Sequence, residues 1–287
     1  MFKIGIVILN YLAYKTTIDT ITSFEKQSRD GYQIHYIIVD NCSPNESFSV
    51  LSKKYIGRED ITVVKTEMNL GFACGNNFGY RVLLDKIQPD YVIVSNDDIL
   101  LPQDGLYDWI VDCYKKYHYA VLGPDVFSVN GNFHQSPGPV FTRDIQKCRR
   151  VIANYQKKLL KCRIKKLVHK TETYHVPTWQ NDAFNSFHDD MTLHGSFQVF
   201  SADYFACFSE LYDPSTFLYM EEDILKLRCD QKKLRMIYEP SYQVHHLQAV
   251  ATNMISLTNI DKTIFRVKNM LQSLKIYLSI LGSKSGN

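Results

Sequence analysis

Short aliphatic runs alternate with segments of helical periodicity through the first 120 residues of the chain. Four runs have the length and content of buried strands, namely Ile4–Leu9, Ile34–Val39, Ile61–Lys65 and Tyr91–Ser95. The segments between and after them place apolar residues at helical spacing, within 15–28, 48–55, 79–84 and 106–117. Repeated strand–helix–strand order implies right-handed parallel crossovers, so the chain is predicted to form an α/β fold with a doubly wound sheet.

Polar residues cluster at the positions where the predicted strands end. They are Asn10 and Tyr11, Asp40 and Asn41, the segment 69–77, and Asn96 to Asp98. In doubly wound sheets, ligands bind beyond the carboxyl ends of the strands. Four such ends therefore predict a ligand site along one edge of the sheet, although each cluster taken alone is also compatible with an ordinary loop.

Two of these clusters suggest binding of phosphate. Asp97 and Asp98 suit a hard cation that takes its other ligands from phosphate oxygens, and a turn or helix cap is the alternative. Gly71, Gly75 and Gly79 precede a predicted helix, where glycine allows close approach of a ligand and the helix terminus favours an anion. Their spacing is neither that of a Walker loop nor that of a dinucleotide-binding turn.

An acidic triplet and a histidine pair stand in the second half of the chain. Crowded carboxylates at Glu221, Glu222 and Asp223 raise one another's proton affinity, which suits a general base near neutral pH. The alternative is an acidic first helical turn that complements the helix dipole. His245 and His246 follow a predicted short strand, Met236–Tyr238, and either is a metal ligand or a packed side chain.

The order of these motifs resembles family 2 of the nucleotide-sugar glycosyltransferases over roughly residues 1–250. The motifs that carry the resemblance are Val39–Ser43, the segment 69–76, Asn96–Asp98, Gly195–Ser196, Tyr219–Glu222 and His246. The segments His194–Phe197 and Phe217–Leu225 look most like bacterial surface-polysaccharide enzymes of the capsule or O-antigen type, including rhamnosyltransferases.

The resemblance implies a GT-A fold, which is a Rossmann-like, mixed and mostly parallel sheet flanked by helices. Here it would carry a basic helical insert and a C-terminal helix. The resemblance implies a catalytic domain at 1–250 and a C-terminal tail at 251–287. Within the catalytic domain, the nucleotide-binding half would span 1–123, the insert 141–172, and the acceptor and catalytic half 190–250.

The resemblance also implies a donor site in which Asp40 hydrogen-bonds the nucleobase. The implied nucleotide- and donor-binding residues are Leu9, Asn10, Tyr11, Asp40, Asn69, Gly71, Asn76, Asn77, Asn96 and Asp97. Asp98 and His246 would bind Mg²⁺ or Mn²⁺ at the diphosphate, and Asn96 replaces the aspartate that the family usually carries. The implied acceptor-binding residues are His194, Gly195 and Ser196.

The resemblance assigns the catalytic base by register. Family sequences usually run Tyr-x-Glu-Asp, and the ungapped match from Tyr219 places Glu222 at the base position. Asp223 is the second candidate for the base, and Glu221 is the third. The 24 residues from Glu222 to His246 match the usual spacing and favour His246 over His245 as the metal ligand.

The implied activity is metal-dependent, inverting transfer of a hexosyl-type group from a UDP- or dTDP-sugar. The acceptor would be a sugar hydroxyl on a growing bacterial polysaccharide linked to a lipid diphosphate. One alternative is a sugar-1-phosphate nucleotidyltransferase, but residues 8–12 lack its glycine-rich signature. The other is a nucleotide- or glycan-binding protein without turnover, which loss of Asp98 or of the acidic triplet would have favoured.

The charge of the chain is concentrated in one segment. Arg143 to Lys170 holds eleven Lys/Arg and one acidic residue, a net +10, whereas the whole chain carries +3 and the remainder therefore −7. This distribution argues against a nucleic-acid binder. Apolar residues recur every three to five positions, which predicts one or two basic amphipathic helices that either contact an anionic membrane or cover the sheet.

The remaining features concern location and the C-terminus. Seven scattered cysteines without a zinc-like spacing fit a reducing compartment, and no apolar run approaches the ~20 residues of a membrane span. We therefore expect a cytoplasmic protein at the inner face of the plasma membrane, without a secretory signal. An amphipathic helix predicted at 259–281 would dock on the catalytic domain, form a homodimer or touch lipid.

Overall fold

Four parallel strands form the first half of the sheet in the computed structural model, which describes residues 1–168, 182–248 and 258–283. These strands are β1 (Phe2–Asn10), β2 (Tyr32–Asp40), β3 (Ile61–Lys65) and β4 (Tyr91–Asn96). Their order in the sheet is β3-β2-β1-β4, and every neighbouring pair is parallel. The parallel half predicted from the aliphatic runs is confirmed.

Four helices connect or follow these strands. They are α1 (Tyr14–Glu25), α2 (Ser47–Lys54), α3 (Gly71–Leu84) and α4 (Leu106–Tyr117). The predicted start of α3 after Gly79 is wrong, because the helix begins at Gly71. Gly71 has a φ of +76°, and this backbone conformation directs the chain into the first turn of the helix. The glycine-rich segment is therefore helix rather than an open loop.

The second half of the sheet mixes directions. Its strands are β5 (Ile99–Leu100), β6 (Val121–Ser128), β7 (Phe133–His134), β8 (Phe197–Ser201) and β9 (Met236–His246). β8 runs antiparallel between β4 and β6, whereas β6 and β9 are parallel, and the full order is β3-β2-β1-β4-β8-β6-β9-β5 with β7 beside β6. The predicted mixed α/β sheet, with its longest ladders parallel, is confirmed.

β9 is longer than the predicted strand Met236–Tyr238. The strand continues to His246, and its pairing with β6 shifts register between Gly123 and Asp125 of β6. His245 and His246 therefore lie within the strand, not after it. Because side chains alternate along a strand, the two histidines point to opposite faces, and pairing of Ile99 with His246 brings β5 alongside.

The basic segment forms one long helix, α5 (Ile145–Leu167), which begins at an Asp144 N-cap. Two further helices are α7 (Glu221–Gln231) and α8 (Asn259–Gly282), and α8 packs against both α5 and α7. The remaining short elements are a 3₁₀ turn (Asp182–Asn185) and α6 (Ala202–Phe205). The three long helices share a buried cluster that includes Ile152, Ile224 and Leu274. The C-terminal helix therefore docks on the rest of the chain, which is one of the three predicted alternatives, and residues 169–172 of the predicted insert lie outside the described residues.

Within the described part of the chain, none of the helices combines the length and the apolar composition needed to cross a bilayer.

Candidate active site

The ends of β1, β2 and β4 lie side by side, as the parallel pairing requires. Asn10 Nδ2 donates a hydrogen bond to Oδ2 of Asp40 at 2.8 Å. The backbone N–H of Tyr11 donates to Oδ2 of Asp97 at 3.3 Å. The structure therefore brings together the polar strand ends that the sequence predicted at one edge of the sheet.

Asp40 connects the loops that follow β1 and β2. Its side chain is fully buried, and its Oδ1 accepts a hydrogen bond from the backbone N–H of Ser43 at 2.9 Å. The Ser43 hydroxyl in turn accepts from the N–H of Leu12 at 2.9 Å. The carboxylate has no exposed surface in this structure, so its contact with a nucleobase stays a prediction.

The turn before α3 is held by Asn41, which was absent from the predicted donor residues. Its Nδ2 donates to Oδ1 of Asn69 and to the carbonyl of Gly71, each at 3.1 Å. Its Oδ1 accepts from the N–H of Leu70 at 2.9 Å. The position of Asn41 directly after Asp40 at a strand end was the signal that could have identified it.

Close packing explains the later glycines of α3. A Cβ atom at Gly75 would lie 2.6 Å from Leu9, and one at Gly79 would lie 2.6 Å from Val7. At Gly71 a Cβ atom would lie 2.1 Å from the carbonyl oxygen of Phe217. Close approach of a ligand is therefore not needed to explain Gly75 or Gly79, because α3 itself lies against β1.

The two asparagines within α3 are also buried. Asn77 Nδ2 donates to the carbonyl of Tyr212, and Asn77 Oδ1 accepts from the N–H of Tyr212, both at 2.9 Å. Asn76 Nδ2 donates to the carbonyl of Phe72 at 2.9 Å. Asn77 thus attaches the loop at Tyr212 to the helix, and a contact with the donor would compete with those bonds.

Asp98 and His246 form the strongest candidate for a cation site. The short strand β5 aligns them, and Oδ1 of Asp98 lies 3.2 Å from Nε2 of His246. Both residues are buried, with 5% and 8% exposure respectively. Oδ1 of Asp98 receives no hydrogen bond from the described residues. Two donor atoms with affinity for Mg²⁺ or Mn²⁺ therefore face each other at close range.

Gln135 orients the histidine of this pair. Its Oε1 lies 2.7 Å from Nδ1 of His246 and accepts the ring N–H there. That bond leaves the lone pair of Nε2 directed at the Asp98 carboxylate, an arrangement that a cation between them stabilises. No group of three or more His, Cys, Asp or Glu side chains that could hold a metal occurs among the described residues. The residues fit a cation that takes its other ligands from a bound diphosphate and water.

The segment His194–Ser196 precedes β8 and adjoins both halves of the site. His194 Nδ1 accepts a hydrogen bond from the backbone N–H of Ser196 at 3.2 Å, and its ring lies 5.5 Å from that of His246. Burial, and then electrostatic coupling to the nearby His246 ring, lower the pKa of His194 to about 3. The Ser196 carbonyl accepts from the N–H of Asn96 at 2.9 Å, which places this predicted acceptor segment beside the predicted donor site.

The acidic triplet opens α7 after an unusual backbone turn. Tyr219 and Met220 both have positive φ angles, +74° and +66°, which non-glycine residues rarely adopt. The turn directs Glu222 towards Gly195, whose N–H donates to Oε1 of Glu222 at 3.1 Å. A Cβ atom at residue 195 would lie 2.7 Å from that oxygen, so glycine is required for the contact.

Burial is the main cause of the raised pKa values in the triplet. Desolvation comes first for all three carboxyls, and the charge of Glu222 is the second cause for both of its neighbours. The pKa of Glu221 rises to about 8 and that of Asp223 to about 7, and the pKa of Glu222 is also raised. The sequence prediction attributed such shifts to mutual repulsion alone, which is the smaller cause.

A cavity of about 440 Å³ opens beside Glu222 and Asp223. Its other walls are Gln135, the segment 138–142 and Thr192 to His194. Glu221 is not among the lining residues, although it is buried. Of the three candidate bases, the structure therefore places Glu222 and Asp223 where a ligand can reach them, and Gln135 and His194 connect this cavity to the Asp98–His246 pair.

The raised pKa of Glu221 predicts a pH-dependent gain in stability for Glu221→Gln. The folded chain keeps the proton up to about pH 8, whereas an unfolded chain loses it near 4.5, so the wild-type carboxyl destabilises the fold increasingly as pH rises between these values. Each tenfold difference in proton affinity corresponds to about 1.4 kcal/mol, so the gain at pH 8 is on the order of 2–4 kcal/mol. Thermal unfolding at pH 5 and pH 8 measures it. An equal change at both pH values would contradict the assignment.

Comparisons with known proteins agree with this geometry. The profile of the family described as glycosyl transferase family 2 matches residues 5–205. The low-salt glycan biosynthesis hexosyltransferase Agl10 of Haloferax volcanii is 25% identical over 137 residues, which are 47% of this chain and 41% of the relative. The match thus spans less than half of that relative's length.

Two solved structures share the fold. The crystal structure of GalNAc-T7 with UDP, GalNAc and Mn²⁺ superposes with a TM-score of 0.59 at 14% identity and covers 86% of this chain and 44% of that one. The crystal structure of residues 1–349 of S. aureus TarS in complex with UDP-GlcNAc superposes with a TM-score of 0.52 at 11% identity. This match covers 96% of this chain and 66% of that one. At these identities the likeness concerns the arrangement of helices and strands, and it confirms the predicted GT-A architecture.

Proposed function

Because the chain belongs to glycosyl transferase family 2, we propose that it transfers a sugar from a nucleoside-diphosphate donor to a hydroxyl group of a glycan. The observation that supports this most directly is the position of His194. It lines the same cavity as Glu222, and its ring lies 5.5 Å from that of His246. A candidate base and a candidate cation site therefore border one continuous region, as transfer between a donor and an acceptor requires.

Donor binding is assigned to the edge of the sheet formed by the ends of β1, β2 and β4. Asp98 and His246 would hold Mg²⁺ or Mn²⁺ there, and a cation at that position offsets the charge that develops on the departing diphosphate. The UDP bound to GalNAc-T7 and the UDP-GlcNAc bound to TarS support a uridine nucleotide, and dTDP is the second candidate.

Proton removal is assigned to Glu222. Its carboxylate takes the proton of the acceptor hydroxyl while that oxygen forms a bond to the anomeric carbon of the donor sugar. The bond from the anomeric carbon to the diphosphate oxygen breaks, and its electron pair leaves with the nucleoside diphosphate. This single displacement inverts the anomeric configuration. The N–H of Gly195 keeps Oε1 of Glu222 in place throughout.

The cavity beside Glu222 is assigned to the acceptor, next to His194, Gly195 and Ser196. We propose a growing, lipid-diphosphate-linked cell-surface polysaccharide as the acceptor, assembled at the cytoplasmic face of the membrane. The description of the Haloferax relative as a glycan biosynthesis hexosyltransferase supports hexosyl transfer. The bacterial assignment rests on the sequence resemblance of residues 194–197 and 217–225 to capsule and O-antigen enzymes, including rhamnosyltransferases.

The test is a calorimetric titration of the chain with UDP, dTDP, GDP and CDP, in Mn²⁺ and in EDTA. The proposal expects selective binding of a pyrimidine diphosphate that EDTA weakens at least about 100-fold, because the cation would contact both the protein and the diphosphate. Binding of none of the four nucleotides would overturn it. Tight binding without release of diphosphate from any nucleotide sugar would favour a binding protein without turnover.

A further inference from the structure

The two sides of α5 have different environments. The side chains of Cys148, Ile152 and Cys162 are buried, and Cys148 and Ile152 belong to the apolar cluster that α5 shares with α7 and α8. The opposite side, which we call the outer face of α5, is exposed to solvent. Arg149 and Arg150 lie on its first half, Lys157 lies at its middle, and Leu160, Ile164 and Leu167 lie on its second half.

The apolar half of the outer face is unusually exposed. Leu160 has 60% of its surface accessible, Ile164 51%, Leu167 78% and Val168 56%. These positions are spaced three and four residues apart, so they form one continuous stripe rather than scattered contacts. Leaving four large aliphatic side chains in water is unfavourable, which marks the stripe as an interaction surface.

Positive charge surrounds this stripe. From residue 145 to residue 168 the chain contains nine Lys/Arg and no Asp/Glu. Lys157, Lys158, Lys161 and Arg163 are all exposed. Two ion pairs between described residues lie on the other side of the helix, where Arg143 contacts Asp230 and Lys166 contacts Asp261.

We propose that the outer face of α5 docks on the surface of an anionic lipid bilayer. Leu160, Ile164, Leu167 and Val168 enter the boundary between headgroups and acyl chains, while the flanking lysines and Arg163 contact lipid phosphates. A second copy of the chain fits less well, because two such faces would oppose their positive charges. Nucleic acid would match the charge and leave the apolar stripe in water.

The position of the stripe also suits the proposed acceptor, a step that rests on the proposed function. The cavity wall ends at Thr142, three residues before α5 begins, and Leu160 lies fifteen residues into the helix. At a rise of about 1.5 Å per residue, docking places the cavity roughly 20–30 Å along the helix from the inserted stripe. Because a helix docked by its outer face lies along the bilayer surface, this distance is lateral, and a lipid-linked acceptor in the same bilayer can cover it by lateral diffusion.

The first test is co-sedimentation of the full chain with vesicles of phosphatidylcholine, with and without phosphatidylglycerol. Binding is expected only to the anionic vesicles and is expected to weaken as salt rises. Leu160→Gln/Leu167→Gln should lower the partition coefficient at least about tenfold. The matched control Ile56→Gln/Met68→Gln removes two exposed apolar side chains elsewhere and should change it less than about twofold.

A second pair of variants tests the charge. Lys157→Gln/Lys161→Gln/Arg163→Gln should weaken binding at least about tenfold, whereas Lys53→Gln/Lys54→Gln/Lys86→Gln should not. Wild-type binding by the leucine double variant overturns the proposal. The proposal is also overturned if the wild type is a dimer that the leucine double variant converts to a monomer. It is likewise overturned if the wild type binds RNA but does not bind vesicles. The vesicle assay contains no sugar donor and no acceptor, so Glu222→Gln must bind vesicles as the wild type does. If the chain proves not to transfer sugar, the vesicle result still stands.

Discussion

Glu222→Gln is expected to lower the rate of sugar transfer by about 10² to 10⁴-fold while leaving donor binding nearly unchanged. Glutamine keeps the size of the side chain, and its Oε1 can still accept the N–H of Gly195. It cannot take a proton from the acceptor hydroxyl. The loss should therefore appear in kcat, and the dissociation constant of the nucleoside diphosphate should stay within about twofold.

Two neighbouring carboxyls provide the matched controls. Asp223→Asn changes the other cavity carboxyl, and Glu221→Gln changes a buried one that does not line the cavity. Each should retain much more activity than Glu222→Gln. Gly195→Ala is a complementary variant, because its methyl group would displace the Glu222 carboxylate without removing it. Near-normal turnover by Glu222→Gln, with a collapse in Asp223→Asn, would reassign the base to Asp223.

Asp98→Ala is expected to abolish the metal-dependent part of nucleoside diphosphate binding. The variant removes one of two facing donor groups and leaves His246 Nε2 without its neighbour at 3.2 Å. Affinity for the diphosphate in Mn²⁺ should fall at least about 100-fold, to the value that the wild type shows in EDTA. Calorimetry measures this directly, without reference to turnover.

A graded series distinguishes a cation site from general loss of negative charge. Gln135→Leu removes only the group that orients His246, so it should weaken binding in Mn²⁺ by about 10- to 100-fold. Asp112→Ala removes an exposed carboxylate of α4 and should leave binding unchanged. If Asp98→Ala binds the diphosphate as the wild type does in Mn²⁺, the cation assignment is wrong.

The elements that the sequence predicted best are those whose apolar pattern is local. β3 matches its predicted bounds, and α4 lies within its predicted limits, because each has a clear run or stripe. β9 was underestimated because Glu239, Pro240 and Ser241 interrupt its apolar pattern. It persists because β6 pairs with it on both sides of a register shift. Such pairing comes from a strand more than a hundred residues away, so a local pattern cannot reveal it.

The residues of the candidate site also divide into those that a local sequence pattern could identify and those that it could not. Polar residues at strand ends were identifiable because parallel strands align those ends, and the family resemblance added Glu222 and His246. Asp98 and His246 are brought together by a two-residue strand, which no periodicity could have predicted. Gln135 lies outside every recognised motif, and its role depends on a single contact with His246. The glycines of α3 misled the interpretation because close packing and ligand approach require the same residue type.

The most direct test of glycosyl transfer is the release of nucleoside diphosphate from UDP- and dTDP-sugars by the purified chain in Mn²⁺, with and without glycan acceptors. The account predicts release from one nucleotide sugar, stimulated by a glycan with a free hydroxyl, absent in EDTA and reduced about 10² to 10⁴-fold in Glu222→Gln. Release that is equally fast in Glu222→Gln, or that persists in EDTA, would contradict the assigned base or the assigned cation site. No release from any nucleotide sugar with any acceptor would contradict the proposed transfer itself.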